Sequence, residues 1–297
     1  MLNKSYLILL ISVISVSFAA ILIVSTDAPP LTISFYRMLF TTLIIFPILL
    51  ISKKSKIELF NLPLKNIFYM IIIGIILALH FSLWITSLKL TSVASSVILV
   101  ASHPIIVGPI SHYFLGEKLS RINIIGITLA IFGVIILVYG NYGFALLTID
   151  TFEGNLLAFL GGVAAAFYII GGRILRKTTS LLTYTFIVYS VSTMVLFLIC
   201  IIFNSSLFNL EIKDYQIILL MAIVSGIFGH TLYNWVLKYI KTSVVSIALL
   251  GEPIGSTFFA VIIPWINQIP SEYTLFGGII IFIGIYMTAK NKKSKYI

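Results

Sequence analysis

Ten apolar stretches, each long enough to cross a bilayer, occupy nearly all of this 297-residue chain. A hydrocarbon core about 30 Å thick requires roughly 20 apolar residues in one helix. Hydrophobic residues make up 60% of the sequence and charged residues only 9%, with a mean hydropathy of +1.15. A soluble domain could not bury this much apolar surface, so the sequence predicts an all-α integral membrane protein.

The predicted membrane spans are separated by short polar segments. β-Barrel strands would be about half as long and would alternate polar with apolar residues, which these stretches do not. The first stretch is followed by no small-residue cleavage site, so we interpret it as a retained helix. The ten spans cover residues 6–24, 33–50, 67–88, 93–115, 122–139, 156–174, 182–203, 217–237, 244–266 and 273–288.

Basic residues between the spans predict the orientation. With the N-terminus in the cytoplasm, the clusters 53–56, 173–177 and 290–295 all face the cytoplasm, and only Lys89 and Lys213 lie outside. We therefore predict a multi-pass protein of the cell membrane with both termini cytoplasmic. The net charge of +10 lies in short patches rather than along one face, which argues against a nucleic-acid partner.

The chain repeats itself. Residues 91–95 recur as residues 242–246, and the same interval relates Trp84 to Trp235, Gly126 to Gly277 and Gly133 to Gly284. Because each half holds five spans, an odd number, the second half must enter the membrane from the opposite side. The sequence thus predicts two inverted five-helix repeats, residues 1–144 and 145–297.

Inverted repeats are typical of secondary transporters, whose substrate sites lie near the membrane midplane at interrupted helices. Pro104 and Pro253, two positions out of register between the halves, are the candidate helix breaks. The alternative is that they are ordinary kinks, since proline is common in membrane helices.

The whole chain resembles a known family. Residues 84–96, His103-Pro104 and residues 115–120 are similar to the first half-repeat signature of the EamA family in the drug/metabolite transporter superfamily, and residues 233–238, 242–243 and 250–253 are similar to the second. Phe35-Tyr36-Arg37-Met38-Leu39 resembles the family's arginine-bearing second helix. The Gly-Glu-Lys-Leu-Ser turn after the fourth span is replaced after the ninth by residues 266–271, so a role for this acidic turn is expected only at Glu117. The resemblance implies ten helices around a central cavity, alternating access, and substrates among amino acids, nucleotide-linked metabolites and drugs.

Glu252 is the strongest candidate for a functional residue. It lies about 12 Å into its predicted helix, where an ionised carboxylate is costly unless it is paired or hydrated. We expect it to face a cavity or to stay protonated, with a hydrogen bond to a neighbouring helix as the alternative. His103, its partner across the repeat, also precedes a proline and carries the same two alternatives.

A polar stripe is predicted on the eighth span. His230, Tyr233 and Asn234 share a helical face through their spacing, continued backwards by Gly226, and either line the substrate path or bond neighbouring helices. His80 and Trp84 share another face, although the position of Trp84 near the end of its span also suits an interfacial anchor. Arg37 either binds an anionic substrate group or extends to the outer surface.

Other function classes find less support in the sequence. It contains no catalytic motif, no Walker motif, no metal-ligating cluster and a single cysteine, Cys200, so we predict neither an enzyme nor a cofactor. We predict a secondary transporter of small organic metabolites such as amino acids, working in efflux, a direction that rests on the resemblance alone. Uptake or exchange of nucleotide-type or other anionic metabolites, a channel, proton coupling and a homodimer remain open.

Overall fold

The computed structural model describes residues 2–91, 96, 99–142, 152–263 and 272–289. Every regular element within these ranges is a helix. In chain order the helices are α1 (Leu2–Val24), α2 (Pro30–Ile51), α3 (Lys53–Phe60), α4 (Leu64–Leu90), α5 (His103–Phe114), α6 (Arg121–Tyr142), α7 (Phe152–Arg176), α8 (Leu181–Ile202), α9 (Ile212–Val236), α10 (Thr242–Ala248), α11 (Gly251–Ile262) and α12 (Glu272–Ala289).

Six helices, α1, α2, α4, α7, α8 and α9, are long and apolar enough to cross a membrane. They confirm six of the predicted spans and the integral membrane class. Two further apolar stretches, Arg121–Ile136 in α6 and Leu275–Thr288 in α12, are shorter. The predicted boundary between the halves at residues 144 and 145, the segment 266–271 and the basic tail 290–297 lie outside the described residues.

The ninth predicted span is divided into α10 and α11. The break falls at Leu249 and Leu250, where Leu250 N donates to Ile247 O (3.0 Å) and Glu252 N donates to Leu249 O (3.0 Å). These bonds reach back three residues instead of four, which tightens the helix locally. Pro253 has no N–H to give, so the regular bonding pattern of an α-helix cannot run through this point.

α5 begins in the same way. Ser102 N donates to Leu99 O (3.3 Å) and Ile105 N donates to Ser102 O (3.0 Å), and the helix starts at His103. Pro104 is therefore a first-turn residue, the position at which proline is best tolerated. The His-Pro and Glu-Pro pairs each lie in the first turn of a half-length helix.

Glycines allow α6 and α12 to pack very closely. A Cβ at Gly126 would lie 2.8 Å from the carbonyl oxygen of Gly284, and a Cβ at Gly133 would lie 2.8 Å from that of Gly277. Because the later residue of α6 contacts the earlier residue of α12, the two helices run antiparallel. The other long helices pack in pairs as well, α4 against α7, α2 against α8, and α1 against α9.

Candidate functional site

A cavity lies in the interior of the bundle, between α1, α2, α4, α7 and α9 and the two helix breaks. It encloses about 660 Å³ between atoms, counted with the open space at its mouth. Its walls are mostly apolar or aromatic, with a few polar groups, which is the usual character of a small-molecule site. The lining residues are Val16, Ala19, Arg37, His80, Trp84, Val100, Ala101, His103, Ala165, Tyr168, Ile169, His230, Tyr233, Leu249, Glu252 and Pro253.

His103 and Glu252 lie at the two helix breaks and line this cavity. Each residue lies within the first turn of its half-helix, at the positive end of the dipole of that half-helix. A carboxylate is stabilised at such a position. His103 Nδ1 lies 3.1 Å from the hydroxyl of Ser246 in α10, so the two broken spans contact each other through this side chain.

Arg37 is a fully buried, large side chain of the cavity wall. Only 1% of its surface is exposed, and none of its three guanidinium nitrogens has a hydrogen-bond partner among the residues that the structure describes. Its guanidinium carbon lies 4.5 Å from the centre of the Phe81 ring, a cation–π contact. Arg37 therefore faces the cavity. It does not extend to the outer surface, which was the other of the two positions expected from the sequence.

Arg37 and Glu252 line the same cavity without forming an ion pair. The described salt bridge lies elsewhere, and these two side chains come within 4 Å of no opposite charge in the described ranges. A charge at such depth costs several kcal/mol when it stays uncompensated, by order of magnitude. The cavity therefore offers a guanidinium and a carboxyl group that are both available to a bound molecule.

Histidines and Trp84 form an aromatic wall. His80 Nδ1 lies 2.9 Å from the carbonyl oxygen of Gly161, and its ring stacks on Trp84 at 5.9 Å between centroids. The ring of His230 lies 6.5 Å from His80, and its Nδ1 has no hydrogen-bond partner within the described part of the chain. Trp84 is 4% exposed, so it faces the cavity and does not anchor the helix at the membrane surface.

The predicted stripe on α9 divides in the structure. His230 and Tyr233 line the cavity, whereas Asn234 is fully buried behind it and donates to Tyr168 Oη (2.7 Å) and to His230 O (2.7 Å). Gly226 packs against α2, where its Cβ would lie 3.1 Å from Thr41 Cγ2. Gly226 and His230 both lie in a π-helical segment, Ala222–Thr231, and its wider turns shift Gly226 out of the predicted stripe. Asn234 follows this segment and lies about 100° around the helix axis from Tyr233.

Tyr168 is a cavity residue that the sequence analysis did not single out. It lies on α7 with 1% of its surface exposed, its hydroxyl accepts from Asn234, and its ring makes an edge contact with Tyr233 at 6.0 Å. On the same helix, a Cβ at Gly162 would lie 2.8 Å from the carbonyl oxygen of Val100, so α7 packs closely against the segment before α5.

A second polar cluster lies at one end of the bundle, centred on Glu117. Its Oε1 lies 2.6 Å from Arg173 Nε, and its Oε2 accepts from the backbone N–H of Thr242 at 2.7 Å. Arg173 also donates to the carbonyl oxygen of Leu237. This cluster joins the loop after α5, the end of α7 and the loop between α9 and α10, which are drawn from both halves of the chain.

Comparisons with known proteins agree with this architecture. The profile of the EamA-like transporter family matches residues 3–139 and again residues 152–290. A solved crystal structure of a protein superposes with a TM-score of 0.77 over 97% of both chains at 15% identity, a likeness of fold alone.

Two relatives from Bacillus subtilis carry the name of transporters. The chain is 26% identical over 241 residues to the uncharacterized transporter YyaM, covering 78% of this chain and 74% of the relative, and 25% identical over 270 residues to the uncharacterized transporter YoaV, covering 88% and 87%. The predictions of a membrane transporter and of a protein that is not an enzyme are thereby confirmed. With a family match in each half of the sequence, the chain belongs to the EamA-like transporter family.

Proposed function

We propose that the protein is a secondary active transporter of amino acids or closely related zwitterions, working by alternating access through the central cavity. The observation that supports this most is that Arg37 and Glu252 line one cavity without pairing with each other. A zwitterion would give the guanidinium a carboxylate and the carboxylate an ammonium group. Both buried charges would then be compensated when substrate binds.

The aromatic walls fit the same class of substrate. Trp84, Tyr168 and Tyr233 surround the space with apolar faces, and the tyrosines also carry hydroxyl groups that can bond a substrate. A few convergent polar groups in a mostly apolar pocket fix the orientation of a bound molecule.

Two inverted five-helix repeats account for the way in which the helices pack. In the predicted repeats α1 corresponds to α7, α4 to α9 and α5 to α11. When each helix is replaced by its counterpart, the α4–α7 contact becomes the α9–α1 contact, and the α5–α7 contact becomes the α11–α1 contact. The α6–α12 contact maps onto itself, with Gly126 against Gly284 and Gly133 against Gly277. This is the relation expected of a pseudo-two-fold axis, and it supports ten spans in residues 1–144 and 145–297.

The Glu117 cluster is proposed as the closed cytoplasmic end of the transport path. On the predicted orientation, with both termini in the cytoplasm, Arg173 and the loop before Thr242 lie on the cytoplasmic side. Opening the cavity to that side would require these bonds between the two halves to separate. Reporter fusions after Lys54 and Lys177 should stay cytoplasmic, and translocation of either one would contradict this orientation.

Glu252 is proposed as the coupling residue. A carboxyl group held in the apolar interior can take up a proton while the cavity faces one side and release it when an ammonium group arrives. His103 and Pro104 lie at the matching helix break in the other half. Export is proposed from the family resemblance.

Counterflow in proteoliposomes tests the proposal. Vesicles loaded with one unlabelled amino acid should accumulate its labelled form, while the amine lacking the carboxylate and the acid lacking the ammonium group should exchange poorly. Arg37→Gln should weaken exchange of the amino acid at least about tenfold, equivalent to about 1.4 kcal/mol. Arg121→Gln, which removes an exposed arginine, is the matched control.

Counterflow with this set of substrates also distinguishes the competing functions. Preferred exchange of a nucleotide-type or other anionic metabolite would favour the second candidate, a carrier of anions, for which the unpaired Arg37 is the supporting observation. Counterflow requires a carrier that alternates, so its complete absence with passive ion flux would favour a channel. Equal discrimination by the wild type and Arg37→Gln would refute the role of the guanidinium.

A further inference from the structure

The outer face of α3 combines exposed lysines with exposed apolar side chains. Lys53 and Lys56 are exposed, as are Ile57 at 64% and Phe60 at 77%. Lys53, Ile57 and Phe60 follow one another at spacings of four and three residues and so lie on one face of the helix. Ser55 is buried on the opposite side.

Glu58, the one acid in the segment 51–65, is turned away from this face. It accepts hydrogen bonds from the backbone N–H of Ser180 (2.9 Å) and from the hydroxyl of Thr183 (2.8 Å), at the start of α8. These bonds fix the rotation of α3 against the bundle. The lysines are therefore left outside without an acidic side chain of the same segment to neutralise them.

The position of α3 places this face at the edge of the membrane. The helix joins α2 to α4, both of which are long and apolar enough to cross the bilayer. Ile51 at 81% and Leu64 at 83% exposed flank it on either side. Apolar side chains beside lysines are the pattern of a segment that lies along the interface, with aliphatic groups at the acyl boundary and ammonium groups at headgroup level.

We propose that the outer face of α3 binds the phosphodiester headgroups of anionic phospholipids. Lys53, Lys54, Lys56 and the nearby Lys65 supply four positive charges within one short segment, and a lipid phosphate is the anion available at that depth. Ile57 and Phe60 would contact the upper acyl chains of the same lipids. A second copy of the chain would present the same positive face and be repelled, so charge complementarity favours lipid as the occupant.

Electron paramagnetic resonance of spin-labelled lipids tests this surface directly. The protein is reconstituted in phosphatidylcholine, and the association of spin-labelled phosphatidylglycerol is compared with that of spin-labelled phosphatidylcholine. We expect phosphatidylglycerol to be preferred about two- to fivefold at low salt, with the preference falling as salt screens the lysines. The combined variant Lys53→Gln, Lys54→Gln, Lys56→Gln should bring the ratio close to one.

A matched variant removes the same charge elsewhere. Lys118→Gln, Arg121→Gln, Lys177→Gln takes three exposed positive charges from other loops and should retain the preference of the wild type. If both variants lost the preference for phosphatidylglycerol equally, the effect would reflect net charge alone and the proposed site would be overturned. A wild-type protein that binds the two lipids equally would overturn it as well. The measurement needs no transport assay, so it succeeds or fails independently of the proposed function.

Discussion

Arg173 Nε lies 2.6 Å from Glu117 Oε1, and this ion pair ties the loop after α5 to the last turn of α7. The residues come from different halves of the chain and are 6% and 14% exposed, Glu117 being the more buried. A contact that crosses between the two halves must change when they move against each other. The sequence singled out Glu117 because the equivalent turn is missing from the second half, but its partners became visible only in the structure.

Glu117→Gln should loosen this end of the bundle. The neutral amide loses the charge that holds Arg173 and Thr242, which we expect to cost about 1–3 kcal/mol in the free energy of unfolding. Thermal unfolding in detergent measures the loss. Lys118→Gln, on the next, exposed residue, is the control and should unfold like the wild type; an unchanged transition for Glu117→Gln would contradict the prediction.

Glu252→Gln should separate coupling from folding. The amide keeps the size and hydrogen bonding of the carboxyl group but cannot titrate, so the protein should insert normally and lose gradient-driven transport while exchange is spared. Uptake driven by an imposed pH gradient and counterflow are measured on the same vesicles. Wild-type uptake with unchanged pH dependence would assign Glu252 a structural role.

Cysteine substitution should distinguish His230 from Asn234. In a Cys200→Ser background, a cysteine at His230 lines the cavity and should react with a small water-soluble thiol reagent, more slowly when substrate is bound. A cysteine at Asn234, which is fully buried behind the cavity, should react much less. Comparable labelling rates at both positions would mean that the two side chains share one surface.

Gly133→Ala should disrupt the contact between α6 and α12. The added Cβ would lie 2.8 Å from the Gly277 carbonyl oxygen, so a backbone must move, at a cost of about 1–3 kcal/mol. Gly278→Ala on α12 is the matched control, because its Cβ meets no atom within 4 Å. Melting temperatures that fall equally in the two variants would count against this close approach.

Glu58 should make the attachment of α3 sensitive to acid. Partial burial acts to raise the pKa of Glu58, but hydrogen bonds from Ser180 and Thr183 outweigh burial and hold the pKa below its usual range. Since the folded-state pKa is lower than the unfolded one, the stabilisation is present above the ordinary glutamate pKa of about 4.3 and is lost as the pH falls through the folded value.

Hydrogen exchange of the α3 amides measures this attachment. Glu58→Gln at neutral pH should exchange as fast as the acidified wild type after correction for intrinsic rates. Glu153→Gln, an exposed acid at the start of α7, is the control and should leave α3 protected. Protection of α3 that is the same in Glu58→Gln and the wild type would show that these hydrogen bonds do not hold the helix.

The membrane spans could be predicted from sequence because apolar length is a local property. The same holds for the places of His103 and Glu252 beside prolines, which weaken a helix whatever surrounds it. The cavity wall was less accessible to prediction. Tyr168 and Arg37 owe their positions to helix packing, and neither the burial of Arg37 nor the hydrogen bond from Asn234 to Tyr168 follows from spacing along one helix.

The polar stripe on α9 shows where periodicity misleads. The prediction assumed a uniform α-helix through Gly226, His230 and Asn234, but the segment Ala222–Thr231 is π-helical. The four-residue spacing from Gly226 to His230 then no longer stays on one face. No residue type in this segment marks a π-helix as proline marks a break, so the change of phase could not be inferred.

The π-helical segment also bears on how such a cavity could acquire a new specificity. It lies just before Tyr233 and ends at Thr231, beside His230. Loss of one residue from it would let α9 relax towards regular α-helix and change the angle about the helix axis at which the following side chains face the cavity. A one-residue deletion in this segment would then change which side chains of α9 face the substrate, without any substitution of a cavity residue.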